Sequence, residues 1–186
     1  MTRQVINFDA PERFVAGTVG MPGDRTFFLQ ARQDSAVTSV VIEKAQAAAL
    51  AERVDQLLDE VISRGAEDIP EGVSSGPSDT DPLSVPIVEE FRIGAMALGW
   101  DEANRRVVLE AHAASEEPLE IPDIGDDDAD GSDTLRVWLT AAQARDFAER
   151  TRSVVAAGRP ACPFCSQPLE ADGHVCPRSN GYRRRT

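Results

Sequence analysis

All three cysteines of the chain and one of its two histidines fall within fifteen consecutive positions: Cys162, Cys165, His174 and Cys176. Thiolate and imidazole are the ligand types zinc prefers, and three Cys with one His fill a closed tetrahedral site that leaves no open position for water. Cys-x-x-Cys lets two thiolates on one tight turn meet one ion, and Pro163 pre-sets that turn. In His174-Val175-Cys176 the two ligands are i and i+2, which point to one side of an extended backbone, and Gly173 supplies the preceding bend. The pattern therefore predicts a structural zinc knuckle or ribbon. A redox use of Cys162 and Cys165 is the competing reading. It calls for a Cys-x-x-Cys that opens a helix, and Pro168, Gly173 and the lack of apolar periodicity argue against that.

Directly after the ligands come Arg178, Asn180, Tyr182, Arg183 and Arg184, candidate contacts for a phosphate, an RNA or an acidic protein face. The alternative is that Tyr182 covers the metal knuckle and the arginines pair with an acidic body. Elsewhere chemistry is sparse. There is no nucleophile elbow, zinc-protease helix or phosphate-binding loop. Asp126, Asp128, Asp130 and Gly131 open like a calcium loop, but Val137 stands where the bidentate Glu is required, so no calcium is expected. His112, the only histidine outside the cluster, has Glu110 two positions away. It reads as a core or surface histidine before it reads as a general base.

These residues need a scaffold, and the chain spells out one of class α+β. Short β-rich runs at 3–8, 13–19, 25–32 and 36–42, without helices between them, predict antiparallel hairpins. Leu50, Val54, Leu57, Leu58, Val61 and Ile62 form one stripe of a helix over 43–64, with Gly65 as its stop. Residues 66–86 are rich in Pro, Gly and Ser and read as a linker loop. Strands resume at 90–98, 105–113 and 135–139, with an acidic loop at 115–133. Thr140-Ala141-Ala142-Gln143 then has capping-box spacing ahead of a second helix that ends before Pro160.

The halves resemble each other. Residues 14–17, 27–32 and 45–53 parallel 91–94, 107–112 and 142–150 in the same order. This predicts a duplicated antiparallel β-hairpin/strand plus helix unit, the copies related by a pseudo-twofold axis and each contributing a sheet. The expected layout is a body over 1–158 (first repeat 1–65, linker 66–86, second repeat 87–158) and a zinc knuckle with basic tail over 159–186. If the body were an enzyme or small-ligand protein, a site between the repeats would use equivalent positions such as Arg32 and His112.

Charge sets further limits. The net charge is −13; from Arg159 onward five arginines face Glu170 and Asp172, a net of +3, so the first 158 residues carry −16. Such an acidic body repels nucleic acid, which confines any nucleic-acid contact to the Arg-rich tail. No signal core and no long apolar window is present, so no membrane role is expected and the cytoplasm is the expected compartment, where thiols stay reduced.

Cys162-Pro163-Phe164-Cys165 followed by His174-Val175-Cys176-Pro177-Arg178-Ser179-Asn180-Gly181-Tyr182-Arg183-Arg184 resembles the C-terminus of an uncharacterised family, a domain of unknown function, from high-GC Gram-positive bacteria. Residues 14–20 and 25–30 are similar to that family too. The resemblance spans essentially the whole chain and implies no catalytic residues. Eighteen arginines against the single Lys44 agree with a high-GC genome. Together these readings predict a cytoplasmic zinc-binding interaction or adaptor protein with a protein partner; the alternative is an enzyme or small-ligand-binding protein with its site between the two repeats.

Overall fold

The computed structural model describes residues 3–21, 23–66, 69, 79–115, 123–126, 131–158, 162, 164–165 and 176. The fold is α+β. Its described elements are β1 (Val5–Phe8), β2 (Arg13–Val19), β3 (Thr26–Gln33), β4 (Ala36–Ile42), α1 (Lys44–Ser63), β5 (Glu89–Asp101), β6 (Arg106–Ala113), β7 (Thr134–Leu139) and α2 (Ala141–Ala156).

The seven strands form one sheet in the order β1-β7-β6-β5-β4-β3-β2. Each half is a three-strand antiparallel meander followed by a helix, and the halves join through the parallel β4–β5 pair. The three sequence blocks that parallel each other fall on the first strand, second strand and helix of the two units. The relation between the units is nevertheless not a twofold. A twofold normal to the sheet would make the strands at the junction antiparallel, whereas β4 and β5 run the same way. The units stand head to tail in a single sheet instead of presenting two sheets to each other. β1 also departs from the expected hairpin: it pairs parallel with β7, Val5 opposite Thr134 through Phe8 opposite Val137. It occupies beside β7 the place that β5 occupies beside β4, and there Phe8 is 2% exposed in the core.

Strand alternation sorts the side chains. Phe27, Leu29 and Ala31 of β3, Val107, Leu109 and Ala111 of β6, and Leu135, Val137 and Leu139 of β7 share one core with both helices. Leu50, Val54, Leu57 and Leu58 supply the α1 stripe, and Phe147 stacks on Phe14 at 4.7 Å between ring centroids. A fully buried side chain of that size contributes roughly 1.5–3 kcal/mol. Arg145 of α2 ties the helices together through Asp55 at 2.9 Å and Asp59 at 2.5 Å of α1.

The helix ends follow the sequence. At α1 the Gln46 side chain accepts the Glu43 N–H at 3.0 Å. Gly65 takes φ +93, and the amides of Gly65 and Ala66 bond back to Ile62 O and Val61 O, the paired bonds of a Schellman ending. At α2 the Thr140 hydroxyl accepts the Gln143 amide at 3.2 Å, and the Gln143 side chain accepts the Thr140 N–H at 3.0 Å.

On the face away from the helices, the described parts of the two long loops lie against the sheet. Leu83 packs with Val15, Phe28 and Val41. The Ser84 amide donates to buried Gln30 of β3 at 2.7 Å, and the Gly125 amide donates to buried Glu110 of β6 at 3.0 Å. Gln30 and Glu110 correspond in the two units, so each middle strand offers one polar side chain to the chain that covers it. Asp79 fastens the first cover at the sheet edge: Arg13 grips it at 2.6 and 3.0 Å, and Arg150 adds a bond at 2.9 Å while donating to Ala16 O of β2. The Arg13 hydrogen bond outweighs burial and holds the Asp79 carboxyl below its ordinary value.

Candidate metal centre

The sulfurs of Cys162, Cys165 and Cys176 all lie within 4.8 Å of one another. Cys162 and Cys176 are buried, Cys165 is half-buried, and all three are free thiols. Cys162 Sγ stands 3.8 Å from Cys176 Sγ. A disulfide requires ~2.05 Å, so this pair is not bonded. Two sulfurs at ~2.3 Å from one tetrahedral zinc would be about 3.8 Å apart, and the observed spacing matches that edge. The Phe164 amide points at Cys162 Sγ at 3.4 Å, as a knuckle turn places it. Burial acts to raise the Cys162 thiol pKa but is outweighed by the amides of Phe164 and Cys165 and the thiols of Cys165 and Cys176, and the net direction is down. The three cysteines thus form a cluster that could hold a metal ion, assembled from positions 162, 165 and 176 as the spacing predicts.

His174, the fourth expected ligand, lies outside the described residues, as do Arg178, Asn180, Tyr182, Arg183 and Arg184. Phe164, inside the turn, is 61% exposed.

The other two candidates, Arg32 and His112, occupy corresponding positions on β3 and β6. The Arg32 side chain is 41% exposed and pairs with Glu12 at 3.3 Å. His112 is 3% exposed and belongs to a buried polar network that the sequence reading did not anticipate. Glu110, fully buried, takes Arg136 Nε at 2.5 Å. His112 Nδ1 lies 2.9 Å from Thr134 Oγ1, and that hydroxyl donates to Ser132 O at 3.0 Å while accepting from Arg3. Because the carbonyl can only accept, it takes the hydroxyl proton, and Nδ1–H donates to Thr134. His112 Nε2 then faces Glu110 Oε2 at 3.4 Å. Neither atom has a hydrogen-bond partner among the described residues. Burial pushes the imidazole pKa down; Glu110 pulls against it, and Arg3 and Arg136 add to it.

A hydroxyl, an imidazole and a carboxylate in series invite an acyl-transfer reading. All three are buried to 3% exposure or less, so the series has no face open to a substrate. One sign of the network was present in the sequence: Glu110, His112, Arg136 and Trp138 alternate with apolar residues that all point to the helix side.

No curated protein and no solved structure matches the chain. A family model matches residues 6–176, from β1 to the last cysteine of the cluster. With nearly the whole chain matched, this protein belongs to the family described as protein of unknown function, DUF3090.

Proposed function

We propose that the protein is a zinc-binding interaction module, its structural ion held by Cys162, Cys165, Cys176 and His174. The observation that carries this reading is the sulfur cluster, with its 3.8 Å Cys162–Cys176 edge. Three thiolates and an imidazole close the coordination shell, so the ion folds its segment and performs no hydrolysis. The body offers two βββα units, read here as copies of one ancestral unit, and a formal charge of −16 over the first 158 residues. A protein partner with a basic face fits that charge, and an acidic partner fits the Arg-rich tail. Cytoplasmic location agrees with three free thiols, and no described helix is long and apolar enough to cross a membrane.

Elemental analysis of protein purified without chelator tests the ion. One zinc per chain is expected, falling to below about a tenth in Cys162→Ser, with His174→Ala losing zinc faster to a chromogenic chelator. Metal-free protein carrying a Cys162–Cys165 disulfide under reducing cytosolic potential would overturn the reading.

A further inference from the structure

A cavity of about 740 Å³ opens where the two units meet, between the start of α1 and the end of α2. It is of ligand size, within the roughly 300–1,000 Å³ of small-molecule sites. Its wall is mixed, about half of it apolar, with Phe27, Val154 and Val155 among its apolar residues, and its charged groups are Arg25, Lys44, Arg92 and Glu43. Three cations against one carboxylate leave the cavity at +2, on a chain whose net charge is −13.

The partners of these groups divide unevenly. Arg92 is paired with Glu43. Arg25 donates to Ala157 O at the end of α2. Lys44, the single lysine of the chain, has no hydrogen-bond or ion-pair partner among the described residues, and its ammonium reaches toward Gly158, 3.5 Å from where a Cβ there would stand. Lys44 is also the first residue of the twenty-residue α1, where backbone amides lack acceptors within the helix. An uncommitted ammonium and a helix start therefore border a space of molecular size whose wall is about half apolar.

We propose that this cavity binds a small organic anion, a phosphate or carboxylate joined to an apolar body, with the anion at Lys44 and the body on the Phe27–Val155 wall. A bare inorganic anion leaves the wall wet, and a neutral apolar molecule leaves Lys44 unmatched. A nucleic acid is repelled by the acidic body at long range. The site is independent of the metal reading, since no cysteine lines it.

Phenyl phosphate, inorganic phosphate and phenol serve as probes in amide-resolved NMR titrations of the full chain. Phenyl phosphate is expected to shift Thr26, Lys44 and Val155 saturably, with a Kd at least about tenfold below that of either fragment. Lys44→Glu should raise that Kd about tenfold or more, while Lys44→Arg stays within about threefold. Lys44 is exposed, and an acidic residue in the first turn favours a helix, so the Glu variant keeps the fold. Fragments that bind as tightly as phenyl phosphate, a Lys44→Glu variant that binds normally, or shifts that bypass the cavity each overturn the proposal.

Discussion

A proton on His112 would place a second positive charge beside Arg136, in a buried site. The groups that face the ring are Glu110 on its own strand, Arg136 and Thr134 on β7, and Arg3 from the chain start. Burial holds the folded-state pKa below the ordinary 6.5. The unfolded chain therefore takes up this proton first as pH falls. The stabilisation is complete above 6.5 and is lost as pH drops from 6.5 through the lower folded value. Urea midpoints at pH 7.5 and 5.5 should differ in the wild type by more than in His112→Gln, and that comparison also removes the contribution of His174. Equal pH slopes would show that folding does not lower the pKa of the ring. Asp79, held low by Arg13, adds a separate loss below 3.8. Residue identity was readable for the cysteines, whose ligand chemistry is local and periodic. It was not readable for Glu110, whose guanidinium partner comes from Arg136, twenty-six positions away on the next strand. An alternating strand shows which face a residue takes but not what the opposite strand brings to it.

At the scale of elements, Gly17 and Gly94 show what the corresponding positions of the two units share. A Cβ on Gly17 would meet the Leu83 side chain at 2.6 Å, and one on Gly94 would meet the Ala114 backbone at 2.7 Å. Both glycines let chain close on the first strand of a unit, but only Leu83 can rotate away. Gly94→Ala should therefore cost about 1–3 kcal/mol in urea unfolding and Gly17→Ala less. The reverse order would mean that the cover at Leu83 is the more rigid of the two. Strand and helix limits were legible to within a few residues, because period and caps are written locally. Thr140 and Gln143 are the clearest instance. The partner of β1 was not legible. A short leading strand fits either a hairpin or a distant parallel slot, and the edge that β7 leaves open decides between them.

For the molecule as a whole, β1 is the piece that closes the far end of the sheet. Removing residues 1–8 exposes the β7 edge and deletes buried Phe8 and half-buried Ile6. The expected loss is about 3 kcal/mol or more, with a lowered urea midpoint and concentration-dependent association through the bare edge. A monomeric truncation of unchanged midpoint would show that β1 is dispensable. Gly158 borders the cavity and Cys162 follows four residues later, at most about 14 Å of extended chain. The cavity and the candidate metal centre are therefore neighbours, although they share no ligand residue. The place of β1 also bears on how the chain is made. During synthesis Val5–Phe8 leaves the ribosome well over a hundred residues ahead of its partner Thr134–Leu139. The first unit can condense as soon as α1 emerges, with β5 added to its open side, while the leading strand stays unpaired until β7 emerges. The last sheet contact to form thus joins two segments of very different age in the nascent chain. Completion of the sheet then reports that all seven described strands have been translated, with α2 still to follow.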